Sequence, residues 1–397
     1  MAGMDLKIVC EKIDSQREIL HNISETIWMN PELQYEEVQA HDFLTDTLRK
    51  YGFNVTKHYL LPTAFRAEHV STQDKGPVVA VLLEYDALPV IGHGCGHNLI
   101  SEAGVAASIG IKAVMEADPT IVGKLVVLGT PAEEGGGGKV QLIKKGAFKD
   151  IDVAMMVHPR KFTIFAPPTL SKINCVIDFK GKESHASAFP WEGLNALDAA
   201  VCFYQSIGLL RQQIKPSYRL HAIITKGGTA PNIIPAEAQL KMYIRAPTRN
   251  EVYELKAKVE KCMQGAATST GCTYSAQFDE ENCYENLITN PVLGKLFGKF
   301  SEQLGLPECD TMKEIPAGST DMGNVSHVVP SIHPVYDIET NAANHTIEFA
   351  DASYSTKAQA PTLIAAKSMA MTALTLFRHP EVLAQVQAEF LAQRTLK

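Results

Sequence analysis

Gly92-His93-Gly94-Cys95-Gly96-His97-Asn98 sets a thiol and an imidazole two residues apart between glycines. Just before it runs the apolar stretch 78–83, closed by Glu84-Tyr85-Asp86. A short apolar run that ends in polar groups predicts a buried strand delivering chemistry at its carboxyl end. Glycines on both sides of Cys95 let the backbone approach a partner closely, and a Cys-x-His pair can grip one ion or two neighbouring ones. The stretch therefore predicts a metal site.

Working outward, 397 residues with 45% hydrophobic content can bury a large core and allow more than one domain. No apolar run is read as approaching the roughly 20 residues that cross a bilayer, so no membrane span is expected. Asp5, Lys7, Glu11, Lys12 and Asp14 interrupt the first residues, so neither a signal peptide nor a transit peptide is expected. The net charge is −7 and no block of Lys or Arg is long enough to track a phosphate backbone, which disfavours nucleic acid. The 8 cysteines show no repeating spacing, which argues against a disulfide framework and for a reducing, cytoplasmic setting.

Apolar spacing predicts a helix over 5–28 and a second over 36–51, stopped by Gly52. Strands are predicted at 54–60, 78–83, 124–128 and 151–157, with a helix over 102–117. This alternation implies an α/β fold with a partly parallel sheet. From residue 171 the order becomes strand 173–179, helix 195–210, strands 220–226 and 236–245, helix 249–268 and strand 272–279. That is a βαββαβ unit. After Asn290-Pro291 the chain returns to the helix-and-strand pattern of its first part and ends in an Ala-rich helix over 352–377. The expected organisation is one discontinuous domain, 1–170 with 284–397, carrying an inserted domain at 171–283.

The chemistry-bearing residues fall at predicted strand ends and loops. Strand 124–128 leads into Pro131-Ala132-Glu133-Glu134 and then Gly135 to Gly138. Adjacent carboxylates cannot bind one ion in the same way, so one ligand beside one general base is the expected division. A phosphate cradle is disfavoured, because the carboxylates would repel phosphate and the Walker spacing is missing. Strand 151–157 ends in His158, and His345 sits in a small-residue loop before the last helices. Cys95, His97, Glu134, His158 and His345 are thus candidate ligands, with Glu133 left as base. A closed structural zinc needs only four ligands, whereas two catalytic ions with shared ligands use about this many.

These motifs resemble the co-catalytic metallopeptidase and amidohydrolase family M20, which includes aminoacylase-1, carboxypeptidase G and the auxin-conjugate hydrolases. The similarity also runs through Pro31-Glu32-Leu33, Glu84-Tyr85-Asp86-Ala87-Leu88-Pro89, Ser184-His185-Ala186, Pro231-Asn232-Ile233-Ile234-Pro235 and Asn344-His345-Thr346, and covers nearly the full length. It implies a mixed-sheet metallopeptidase catalytic domain with an inserted ferredoxin-like lid and dimerisation domain. The implied partners are a second copy of the chain and a small substrate, a dipeptide of β-alanyl-lysine type or an N-acyl amino acid. The resemblance puts Cys95, His97, Glu134, His158 and His345 on two divalent ions, zinc or manganese, and makes Glu133 the base. It implies that His185 acts across a dimer, that Asn232 and Arg245 hold the substrate carboxylate, and that Asp321 reads a cationic side chain. Glu84 stands where relatives with a His-x-Asp motif have histidine, and Asn98 where many have aspartate. Two other classes stay open: a thiol hydrolase using Cys95, and a binding protein of the same fold with an incomplete site.

Overall fold

The computed structural model describes residues 2–71, 76–309 and 318–395. Chain contacts divide it into two compact units, Met1–Pro168 with Leu287–Lys397, and Thr169–Asn286. The first unit opens with α1 (Ala2–Ser15), α2 (Arg17–Met29), α3 (Val38–Lys50), β1 (Asn54–Lys57), β2 (Phe65–Val70), β3 (Val78–Leu83), α4 (His97–Ala117), β4 (Lys124–Gly129), α5 (Gly138–Lys144), β5 (Val153–Met155) and β6 (His158–Arg160). The second unit holds β7 (Ser171–Lys180), α6 (Ala196–Leu210), β8 (Arg219–Lys226), β9 (Glu237–Ala246), α7 (Arg249–Thr270) and β10 (Thr273–Phe278). The first unit then closes with α8 (Pro291–Gln303), α9 (Met322–Ser326), β11 (Ser331–Ile332), β12 (Val335–Asp337), α10 (Ile347–Tyr354), α11 (Gln359–Arg378) and α12 (Pro380–Thr395).

The main sheet runs β1-β2-β4-β3-β5-β11. It is parallel from β4 through β3 and β5 to β11, and antiparallel on the side of β1 and β2. β3 and β4 are buried along almost their whole length, as their continuous apolar runs require. The second unit pairs antiparallel in the order β10-β7-β9-β8. That is the ferredoxin-like arrangement expected from its βαββαβ order. Alternate residues of β7 and β9, among them Ile173, Ile177, Leu240 and Ile244, form a core with Phe203 of α6 and Leu255 and Val259 of α7. β8 is an edge strand, with Ile223 62% exposed.

Several elements differ from expectation for physical reasons. The helix predicted over 5–28 breaks at Gln16, and the one over 352–377 breaks after Tyr354, where Ser355 is extended (ψ 140). β2 was not foreseen, because Arg66, Glu68 and His69 make it read as a loop. Arg66 is nevertheless buried there, bound to Asp150 at 2.6 Å and Glu68 at 2.9 Å. The expected strand 151–157 is shorter, and His158 opens a separate strand, β6, paired in parallel with β12. The expectation of no membrane-length apolar segment is also corrected. Thr356–Arg378 is apolar enough to cross a membrane by length and composition, with mean hydropathy 1.3, but 83% of that window is buried inside the protein. Its apolarity is that of a core helix.

Candidate metal centre

α4 was expected to begin near residue 102 but begins at His97, because Gly96 caps it in the left-handed region (φ 82). A Cβ at Gly96 would lie 2.6 Å from the Pro159 ring, so only glycine lets Cys95 and His97 close against β6. Beyond β3, Asp86 Oδ1 holds His97 Nδ1 at 3.0 Å while its Oδ2 accepts from the Glu134 amide at 2.9 Å. One carboxylate thus fixes the imidazole tautomer and the backbone of a second candidate ligand. His97 Nε2 is left facing Glu84 Oε2 at 3.5 Å and Glu134 Oε1 at 3.9 Å. All three atoms are buried without a hydrogen-bond partner.

Cys95 Sγ lies 3.4 Å from His158 Nε2, and His158 Nδ1 is engaged with the Pro159 carbonyl at 2.8 Å. His345 holds a positive φ of 67, with its amide bonded to the Gly94 carbonyl at 2.8 Å. Asn344 supports the same turn by donating to the Cys95 and Pro159 carbonyls. This brings His345 Nε2 to 3.5 Å from Glu134 Oε1. The ligand atoms of Cys95, His97 and His158 all lie within 4.8 Å of one another, and so do those of Cys95, Glu134 and His345. The two groups share Cys95. A third such group joins His97, Glu133 and Glu134, so the structure brings together every sequence-predicted residue of the centre.

The electrostatics fit a cation. Glu84, Asp86, Glu133, Glu134 and Asp321 crowd one buried region, where Lys139 is the ammonium, 2.5 Å from Glu84 Oε1 and 2.7 Å from Asp321 Oδ1. Burial, reinforced by Glu84, Glu134 and Asp321, pushes the Glu133 carboxyl well above its usual range. Burial alone would lower His97, but Asp86 and Cys95 outweigh it and hold the imidazolium well above its ordinary value. Burial and the nearby Arg160 keep His158 neutral, the form that ligates. Unpartnered nitrogen and oxygen atoms, a thiol and excess negative charge are the donor set of a divalent metal site.

Residues 171–270 match the family described as the peptidase dimerisation domain. The whole chain is 46% identical over 393 residues to the Xaa-Arg dipeptidase of Mus musculus, covering 96% of this chain and 90% of that protein. The chain belongs to the M20 peptidase family. The M20 chain is also 33% identical to a p-aminobenzoyl-glutamate hydrolase subunit of Escherichia coli (strain K12), covering 76% of this chain and 66% of that one. In fold it resembles a dinuclear metal-binding M20 peptidase of Bacillus subtilis, at a TM-score of 0.69 and 17% identity over 91% of this chain and 99% of the other.

The remaining sequence-predicted residues of the M20 chain stand elsewhere. Asp321 was expected to read a substrate cation, but it is fully buried and both its oxygens serve Lys139, one its ammonium and the other its amide at 2.9 Å. In the second unit, His185 and Asn232 are exposed and adjacent, with the Ala186 amide bonded to the Asn232 carbonyl at 3.0 Å. Arg245 lies on β9 beside the Tyr243 ring. Asn98 is a structural residue, donating to Ser24 Oγ and the Ser353 carbonyl.

Sequence reasoning missed Asp86 as an orienting group and Lys139 as the counter-charge. It also missed Glu37, which accepts from the Ala132 amide at 2.8 Å and holds the strained turn (Ala132 φ 59) that presents Glu133. The one available signal was the carboxylate spacing in Glu84-Tyr85-Asp86, which places both acids on the same side of an extended chain.

Proposed function

We propose that this M20 hydrolase cleaves dipeptides or N-acyl amino acids at a centre of two divalent ions, zinc or manganese, held by Cys95, His97, Glu134, His158 and His345. The observation that carries the reading is the pair of donor groups sharing Cys95, with buried unpartnered atoms on His97 and Glu134. Bound ions supply a Lewis acid and a water acidified enough to lose its proton near neutral pH. Glu133, buried beside Glu84 and Asp321, collects that proton and returns it to the leaving amine. Asp86 keeps His97 in register, and Lys139 offsets the charge of Glu84 and Asp321. His185 of the partner subunit donates to the developing oxyanion, and Asn232 and Arg245 hold the substrate's carboxylate. The mouse relative's name favours a dipeptide with a basic C-terminal residue. The 8 free cysteines suit a cytoplasmic enzyme.

One observation favours a thiol hydrolase, the 3.4 Å contact between Cys95 and His158. A single experiment decides between the two. The chelated protein, alone and after zinc or manganese is restored, is assayed on β-alanyl-lysine, alanyl-arginine and p-aminobenzoyl-glutamate. Loss of hydrolysis on chelation and recovery with metal supports the metal reading, with the basic dipeptides cut fastest. Undiminished hydrolysis after chelation establishes the thiol reading instead.

A further inference from the structure

Two side chains beside His158, Arg160 and His333, act on its charge but are not among the candidate metal ligands. Strand alternation puts His158 and Arg160 on one face of the β6–β12 ribbon, where Val335 is the register neighbour of His158 and Asp337 that of Arg160. His333, two residues before Val335, lies in the link between β11 and β12. That link is held by the Met156 amide on the Ile332 carbonyl and by the His158 amide on the Pro334 carbonyl at 3.0 Å. The His333 ring lies 5.6 Å from that of His158, is 4% exposed, and its Nε2 has no partner.

Arg160 is half-buried, and among the described residues nothing accepts from its guanidinium. Asp337, the nearest candidate by register, instead accepts from the Glu339 amide at 2.8 Å. The charge of Arg160 acts on both imidazoles, and its Nη2 reaches the bare backbone of Gly318, where a Cβ would lie 3.6 Å away. A planar fork of donors on the strand face of His158, against whose ring the buried His333 packs, matches a planar, acceptor-rich anion. Centre and fork are adjacent through His158, so a ligand can engage both at once.

We propose that Arg160 and His333 form a carboxylate subsite next to the metal centre. Its occupant rests on the hydrolase reading above: either the carboxylate released from the acyl half or, in place of Asn232 and Arg245, the α-carboxylate of the amine half of the substrate. The subsite raises the affinity of whichever end it takes and leaves the bond-breaking step alone.

Calorimetry on the metal-loaded full chain, with no turnover needed, compares L-arginine with L-argininamide and β-alanine with β-alaninamide. Wild type, Arg160→Gln, Arg160→Lys and His333→Gln are tested, each first checked for metal content and thermal melting. Loss of charge-assisted hydrogen bonds predicts that Arg160→Gln weakens one acid by roughly 10- to 100-fold and leaves its amide unchanged. Arg160→Lys recovers part of that loss. Weakening of L-arginine assigns the subsite to the amine half, and weakening of β-alanine assigns it to the acyl half. Equal binding of acid and amide by wild type, or an Arg160→Gln protein that binds both acids as wild type does, overturns the proposal. Because these arms read binding alone, they stand even where the substrate panel fails to show hydrolysis.

Discussion

Glu133 and Glu134 are neighbours in sequence that both reach His97 but differ in their other neighbours. Glu134 also faces His345, whereas Glu133 also faces Glu84 and Asp321. Glu133→Gln is therefore expected to lower turnover by roughly a thousandfold, within the range for a lost general base, with metal content unchanged. Loss of metal along with turnover would reverse the assignment of the two glutamates. Cys95 is expected to resist iodoacetamide in the metal-loaded protein and to react after chelation, because a coordinated thiolate is occupied. Equal labelling rates would remove it from the centre. Lys139→Met leaves Glu84 and Asp321 facing each other without a cation, and should destabilise the fold by about 3–5 kcal/mol in urea unfolding. The ligands were legible because Cys and His in glycine-rich loops have few other uses. Lys139, Asp86 and Glu37 were not, since each gains its role only by meeting residues far away in the chain.

At the scale of elements, the sequence spelled out β3 and β4, whose burial on both faces leaves nothing but apolar residues. It hid β2 and the start of α4, where buried polar groups are satisfied by partners from elsewhere. In α4, Glu102 is fully buried, and burial pushes its carboxyl up to about 8. Gln359 Nε2 of α11 donates to Glu102 Oε2 at 3.1 Å, while Glu102 Oε1 and Gln359 Oε1 both lack partners. A protonated carboxyl supplies the missing donor. The folded chain therefore keeps a proton that the unfolded chain, with an ordinary carboxyl near 4.5, releases. The contribution is fully present below the unfolded value and is lost as pH rises through the folded one, because the folded state binds more protons across that window. Glu102→Gln keeps the shape without the titration. Urea midpoints at about pH 5 and about pH 8 should show the variant gaining on wild type at the higher pH, by on the order of a few kcal/mol. A difference between the two proteins that is the same at both pH values would show that Glu102 is ionised throughout.

For the whole molecule, the split into a discontinuous unit and an inserted one could be read from the order of helices and strands. The same order led to an expected dimer through the open edge strands of the inserted unit, but which edges and faces find a second copy is not written in it. β8 leaves an open edge with Ile223 exposed, in the segment that matches the dimerisation domain. If His185 serves the partner subunit's centre, His185→Ala chains mixed with Glu133→Gln chains should regain up to roughly a quarter of wild-type activity at random mixing. Confirmed heterodimers without activity would return His185 to its own chain. The central claim is the two-ion centre, and its most direct test is metal titration of the chelated protein, followed by metal analysis and dipeptide turnover together. The account predicts two zinc or manganese ions per chain, with activity returning as they bind and no such binding by Cys95→Ser. Full turnover by a protein that holds no metal would contradict it.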